Sequence, residues 1–186
     1  QNDTCGKIKL TGDQSLTSSY LIDARGAFSY ANKLGLYNGV QLYAYYKDFE
    51  TDAIHVFFNK SIAPGFFAWL IPLNENLAKI GLASKQNTFE FTKIFLKKIG
   101  VKNFLKIYFS PIVLGGVRQN LVEGRVLYVG DSAGQTKPTT GGGIYFGGMG
   151  ALLLAKAIAN KISDPKISLV DEYEKIWFSI FKNEIK

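Results

Sequence analysis

Cysteine, histidine and methionine each occur once in these 186 residues, and proline only five times. The single thiol, Cys5, has no partner for an internal disulfide, so a disulfide framework is excluded. One histidine, His55, cannot build a zinc site, and no cysteine cluster assists it. A Ser–His–Asp arrangement is set aside because no Gly-x-Ser-x-Gly elbow is present. No apolar run reaches the ~18 residues of a membrane-spanning helix, and no internal repeat or low-complexity tract occurs. The strand, Gly-x-Gly-x-x-Gly and helix that hold a dinucleotide pyrophosphate are missing too. Gly141-Gly142-Gly143 lacks that spacing, and Gly147-Gly148-x-Gly150 falls inside a predicted helix.

What is present suits a folded enzyme-sized core. The chain is 47% hydrophobic and 14% aromatic, which supports one or two compact units and gives no sign of disorder. The net charge of +7 favours phosphates or anionic surfaces. Nucleic acid is not an expected partner, because the basic residues are scattered and no basic helix or stacked aromatic RNA motif occurs. Lys93, Lys97, Lys98 and Lys102 do cluster near a predicted helix end. The first reading is a solvated face that complements the helix C-terminus; the second is attraction to phospholipid headgroups.

Short aromatic segments alternate with polar turns through the middle of the chain. Lys7 to Leu10 and Leu16 to Asp23 read as strands around a turn at residues 11–14. Gln41 to Tyr46, Ala53 to Phe58, Phe66 to Pro72 and Lys79 to Ser84 read as strands of an antiparallel sheet. Asn87 to Ile99 reads as a helix with Phe91, Ile94, Phe95 and Ile99 on its apolar side, stopped by Gly100. Phe104 to Phe109 and Ile112 to Leu114 are extended, with Pro111 interrupting, and Gly115-Gly116 makes a joint. Arg125 to Val129 is a buried strand, Ile144 to Ile162 a helix, and Leu169 to about Lys182 an amphipathic helix. The fold class is α/β (α+β).

The most informative segment joins that buried strand to its helix: Val129-Gly130-Asp131-Ser132-Ala133-Gly134, then Lys137-Pro138-Thr139-Thr140-Gly141-Gly142-Gly143-Ile144. An acidic residue ends a strand and a glycine triplet opens a helix. Glycine lets backbone approach a ligand closely, and the free N–H groups of a helix start suit a negatively polarised one. This run resembles the second flavin-binding motif of the geranylgeranyl reductase family, a group of FAD enzymes built like p-hydroxybenzoate hydroxylase. The resemblance implies FAD as cofactor. It implies that Asp131 holds the ribityl chain, and that Gly130, Pro138, Gly141, Gly142, Gly143 and Ile144 line the flavin. Leu21-Ile22-Asp23-Ala24-Arg25-Gly26-Ala27-Phe28-Ser29 resembles the family's Ile-Asp-Ala-x-Gly-x-x-Ser segment. Phe67-Ala68-Trp69-Leu70-Ile71-Pro72 resembles its Tyr-x-Trp-x-Phe-Pro motif along the lipid cavity. Phe67 and Ile71 replace the Tyr and the Phe of that motif, so an apolar wall remains and the hydroxyl does not. The implied substrate-binding residues are Phe67, Trp69 and Pro72; read without the resemblance, the two aromatics are sheet core.

The resemblance implies a partial FAD-binding domain over residues 1–38 and 115–162, with an inserted antiparallel-sheet substrate domain at 39–114 and a C-terminal helix at 163–186. It implies a reductase that saturates isoprenoid double bonds of a prenyl lipid with hydride from reduced flavin. Lacking the N-terminal dinucleotide motif, the chain reads as a fragment, expected to be inactive alone and to hold FAD weakly or not at all. A sister FAD enzyme (a quinone-linked dehydrogenase or a hydroxylase) and a non-catalytic lipid-binding fragment stay open as alternatives. A membrane surface and a second copy of the chain are admitted as partners, and the expected location is the cytoplasm or the membrane periphery. The electron donor and proton donor are unassigned. Tyr145 reads as a core tyrosine, Arg118 as a surface arginine and His55 as a strand residue on the polar face. The small residues Gly147, Gly148, Gly150, Ala151 and Ala155 read as close helix–sheet packing, or as clearance for an isoprenoid chain.

Overall fold

The structure, a computed structural model, describes residues 6–10, 12–30 and 35–185; Cys5 lies outside them. In chain order the strands and helices are β1 (Gly6–Lys9), β2 (Ser15–Ser18), β3 (Leu21–Asp23), β4 (Leu36–Tyr45), β5 (His55–Phe57), β6 (Ala68–Asn74), β7 (Leu77–Ser84), α1 (Thr88–Ile99), β8 (Phe104–Val113), β9 (Val122–Glu123), β10 (Val126–Tyr128), α2 (Ile144–Ser163) and α3 (Ile176–Phe181). They divide into two compact units, Gln1–Gly35 with Val113–Lys186, and Leu36–Ile112. The result is a mixed α/β chain into which a sheet-rich unit is inserted.

The inserted unit is a five-stranded sheet in the order β5-β6-β7-β4-β8. Its longest ladder pairs β4 with β7 antiparallel, from Asn38↔Ser84 to Tyr45↔Leu77. Alternation sends Val40, Leu42 and Ala44 to one face, where they meet Ala78, Ile80, Leu82, Ala68 and Leu70. Phe95 of α1 closes that core, with the Phe57 ring centroid 5.1 Å away. Each large aliphatic buried there contributes roughly 1.5–3 kcal/mol. On α1 the buried positions are Thr88, Thr92 and Phe95. Ile94, expected inside, faces outward, because the helix leans its Thr88–Thr92–Phe95 stripe on the sheet. Gly100 ends α1 at φ 78, as its sequence position demands, and donates its N–H to the last turn.

Pro111 does not interrupt β8. The strand lies at the sheet's edge, where a missing N–H leaves no ladder bond unmade. His55 shares its strand face with Phe57 and is half-buried, while Val56 between them is exposed. The expected polar-face placement therefore does not hold: the register His55↔Leu70 and Phe57↔Ala68 turns the odd residues inward.

In the other unit β10 pairs parallel with β3, Tyr128 opposite Asp23, and antiparallel with β9. β1 and β2 form a separate hairpin, and the single strand expected over 16–23 breaks at Ser19–Tyr20. The core gathers Leu121, Leu127, Phe146, Leu154, Tyr173, Trp177 and Phe181. The final helix starts as a π-helical turn over Val170–Lys175 and continues as α3. Its Glu174 carboxylate accepts the backbone N–H groups of Leu121 and Val122 at 2.6 and 3.1 Å, tying the helix to the strand entry. Residues 163–185 thus pack into this unit's core.

Candidate functional site

Two segments a hundred residues apart in sequence meet at the carboxyl ends of β3 and β10, the edge at which α/β sheets receive ligands. Asp23 is buried there. Its carboxylate accepts the Arg25 backbone N–H at 3.1 Å, the Arg25 guanidinium at 2.8 and 3.2 Å, and the Ser29 hydroxyl at 3.0 Å. The Arg25 side chain, with Ser29, outweighs the cost of burial and holds the carboxyl down at about 2. Gly26 at φ 74 lets the chain turn back so that Ser29 reaches Asp23. This accounts for the spacing Asp-Ala-x-Gly-x-x-Ser: the Asp clamps its own following turn.

The turn after β10, Gly130–Ala133, is stitched to that clamp. The Ser132 hydroxyl donates to the Asp23 carbonyl and, at 2.8 Å, is within reach of the Val129 carbonyl. The Val129 N–H donates to the Asp23 carbonyl at 3.2 Å. Arg118 donates to the Ser132 carbonyl at 2.9 Å and the Ser29 carbonyl at 3.1 Å, and lies over the Tyr128 ring at 3.7 Å. Its side chain is only 14% exposed. The surface reading of Arg118 is corrected: two carbonyl acceptors and an aromatic face draw the guanidinium inward, where it joins the two motif segments.

The joint at Gly115-Gly116 is pinned as well. The Tyr30 hydroxyl donates to the Gly116 carbonyl and is within reach of the Gly115 carbonyl, and a Cβ on Gly115 would stand 3.3 Å from Pro138. Behind the turn, the Gln135 carboxamide accepts the Gly130 N–H at 2.8 Å and donates to Tyr173 at 3.0 Å. Tyr173 in turn donates to the Tyr128 carbonyl at 2.6 Å. Sequence reading missed Gln135. Its side chain was one polar group among several in the turn, and its Tyr173 partner lies 38 residues downstream.

The loop from Lys137 closes on itself through Lys137 N–H to the Gly142 carbonyl at 3.0 Å and Gly141 N–H to the Lys137 carbonyl at 2.9 Å. Gly141 takes φ 68 there. Lys137 is exposed and Pro138 half-buried. Gly143 is the N-cap of α2; no side chain caps it, and the first turn holds no acid. The opening amides of α2 therefore have no partner within the helix. A Cβ on Gly143 would come within 2.6 Å of the Asp131 carboxylate, so glycine is what lets Asp131 lie beside the helix start. Asp131 is half-buried and its carboxylate has no hydrogen bond or ion pair among the described residues; desolvation pushes the carboxyl up. The neighbouring Thr136 hydroxyl is buried with no partner. Ile144 is 97% exposed and Tyr145 62%. The core reading of Tyr145 is corrected: position 145 falls on the outer side of the first turn, and only the edge of the ring meets Phe146 and Phe181.

The small residues of α2 split into two groups. A side chain at Gly150 would collide with the Gln135 carboxamide, and one at Gly147 would touch Gly130 at 3.0 Å. The close packing is thus against the turn rather than against sheet. Gly148, Ala151 and Ala155 are exposed.

The inserted unit carries its own hollow, of about 220 Å³, lined by Gly39, Val40, Gln41, Trp69, Tyr108, Ser110 and Ile112. Trp69 lies across Gly81, where any Cβ would stand 2.5 Å from the indole, and its N–H donates to Gln41 at 3.4 Å. Phe67 touches Trp69 edge-on at 6.1 Å and stacks on Phe66 at 4.1 Å. Pro72 stands apart from the hollow, at the irregularity between Pro72 and Asn74. Of the three residues marked by the aromatic motif, Trp69 lines the cavity and Phe67 supports it. No group of three His, Cys, Asp or Glu able to hold a metal occurs among the described residues. Among them, too, no helix is long and apolar enough to cross a membrane.

Residues 36–113 match the family model described as the geranylgeranyl reductase catalytic domain. The chain is 32% identical to the digeranylgeranylglycerophospholipid reductase of Methanocaldococcus jannaschii, over 69% of this chain and 35% of that protein. A solved geranylgeranyl bacteriochlorophyll reductase-like protein from Thermoplasma acidophilum shares the fold, with a TM-score of 0.81 over 96% of this chain and 54% of that one at 19% identity. The flavin-dependent halogenase CmlS shares it at 0.59, over 92% and 36% of the two chains, again at 19% identity. The chain spans about half, or less, of the length of the curated relatives it matches.

Proposed function

We propose that this chain, which matches the geranylgeranyl reductase catalytic domain over residues 36–113 and resembles digeranylgeranylglycerophospholipid reductases, forms the flavin-facing and lipid-facing part of an FAD-dependent reductase acting on isoprenoid double bonds of a prenylated glycerophospholipid. One observation carries this reading: an unpartnered, half-buried Asp131 carboxylate beside the uncapped start of α2, with the orphaned Thr136 hydroxyl next to it. Those groups fit a ligand that presents hydroxyls on one side and a negatively polarised ring edge on the other, which is the chemistry of a riboflavin unit.

Asp131 would accept hydrogen bonds from the ribityl hydroxyls. The amides opening α2 would face the pyrimidine edge, where a helix start favours negative charge. Reduced FAD, when bound, supplies the hydride for an alkene carbon. Asp23, Arg118 and Gln135 keep the turn's backbone fixed so that this cradle needs no rearrangement. In the inserted unit, Trp69 laid across Gly81 gives a flat apolar wall that excludes water from a hydrocarbon chain. Phe67, lacking a hydroxyl, adds apolar surface only.

The test is an anaerobic incubation of the protein, at the full length of its coding sequence, with reduced FAD and a geranylgeranylated glycerophospholipid. Mass spectrometry is expected to show one hydrogen pair gained per saturated bond; an unchanged lipid overturns the reading. Asp131→Ala is expected to weaken FAD binding about tenfold or more, as loss of a charged hydrogen-bond acceptor does. Flavin fluorescence titration measures it.

A further inference from the structure

A second hollow, of about 360 Å³, opens at the C-terminal end of α1. Leu96 and Val101 form its floor and Lys93, Lys97 and Lys102 its walls, with Gly100 between them. Lys93 is engaged by Glu90 at 3.0 Å. Lys97, Lys98 and Lys102 have no carboxylate partner among the described residues. All three sit within six residues of sequence, where the end of the helix offsets part of their mutual repulsion and no carboxylate among the described residues does. Immediately after them, at the start of the edge strand β8, Phe104 is 48% exposed and Leu105 57%; Ile94 on the same end of α1 also faces out.

Each half of this arrangement has an ordinary explanation when taken alone. Lysines complement the negative end of a helix, and single exposed apolar residues are common. Their combination is different: unpaired ammonium groups ring a floor of aliphatic side chains, and large hydrophobes stand beside them on a strand edge that pairs with no neighbour in the sheet. A protein surface of that composition meets a partner that is anionic at its face and hydrocarbon just beneath. An acidic protein would satisfy the lysines and leave Phe104 and Leu105 against polar surface. A second copy of the chain would place lysines against lysines.

We propose that the C-terminal end of α1 and the first residues of β8 form a docking surface for an anionic phospholipid bilayer, with Lys97, Lys98 and Lys102 among the headgroups and Phe104 and Leu105 at the acyl boundary. The lysine stems span the apolar floor while their ammonium groups reach the phosphates. This surface shares no residue with the Asp131 turn or with the lining of the Trp69 hollow, so it stands whether or not the flavin reading does. It would let the protein take a lipid directly from a membrane.

The experiment is co-sedimentation of the protein with vesicles of phosphatidylglycerol and phosphatidylcholine, compared with phosphatidylcholine alone, at low and high salt. Binding to the anionic vesicles that weakens with salt is expected. Each basic residue near a charged bilayer changes binding about fivefold, so Lys97→Gln/Lys98→Gln/Lys102→Gln is expected to bind about a hundredfold more weakly. Phe104→Ser/Leu105→Ser is expected to lose binding that survives high salt. Lys47→Gln/Lys60→Gln/Lys166→Gln, which removes the same charge elsewhere, is expected to change little. Circular dichroism melts establish that each variant is folded, and a variant that does not fold is replaced by its single substitutions. Equal loss in the distant lysine variant overturns the proposal, because net charge alone then binds. Wild-type protein that ignores anionic vesicles overturns it, as does a dimer in light scattering that Phe104→Ser/Leu105→Ser dissolves without effect on vesicles.

Discussion

The two units solve opposite problems. The inserted unit is held by an eight-pair ladder and an apolar layer, with few polar side chains in its interior. The other unit has short strands of three residues or fewer in its central sheet, and much of its order comes from side chains that bond backbone: Asp23, Ser29, Arg118, Ser132, Gln135, Tyr173 and Glu174. A sheet readily presents a flat apolar wall, because its ladder satisfies the backbone groups of its inner strands whatever the side chains are. A cradle for a polar ring needs amides left unpaired. The chain around them must then be fixed by other bonds, and these are the polar clamps.

The contrast is broken or sharpened by three substitutions. Trp177→Ala should have the largest effect, about 3–5 kcal/mol, because it empties the centre of a small core. Differential amide exchange should show the loss confined to the unit holding Trp177, with the β4–β7 ladder still protected. Equal deprotection of β4 and β7 would mean the units fold as one.

Gln135→Ala should cost about 1–3 kcal/mol, since it orphans the Gly130 N–H and removes the Tyr173 partner. Urea unfolding measures it. A replacement tolerated within 0.5 kcal/mol would show that water takes over and that the clamp is not a source of stability.

The smallest effect is in acid. Asp23 is held at about 2, below its usual value near 3.8, so the stability it lends is complete above that usual value and is lost as pH falls towards 2. The shift corresponds to about 1–2 kcal/mol after allowance for the exposed Arg25 partner. Asp131, pushed up by desolvation, works in the opposite sense: its protonation favours the folded chain. Urea midpoints between pH 5 and 2.5 should fall for wild type and flatten for Asp23→Asn. Parallel curves would remove Asp23 from the account.

Much of this was legible in the residues. Strand positions in the inserted unit follow from aromatic and β-branched segments between polar turns, and Gly100 marked the helix stop. What escaped were features set by contacts distant in sequence. Ile94 fits the helical apolar pattern, yet only the pose of α1 on the sheet decides that Thr92 is covered instead. Pro111 reads as a break, and only its edge position makes it harmless. Arg118 reads as surface because arginine usually is, and two carbonyls from distant turns reverse that. The Asp131 turn and the glycine-opened start of α2 were visible as a motif, but the Gln135 bridge to Tyr173 was not.

Sequence by itself determined the local chemistry: the glycines where the backbone must turn or come close, the acid at the strand end, the aromatic segments of the sheet, and the family resemblance. Tertiary structure alone decided which polar groups are left unpaired and which hydrophobes stay outside. That division is physical. Conformational preference is a property of a few neighbouring residues, whereas burial and hydrogen-bond satisfaction depend on every atom that arrives from elsewhere in the chain.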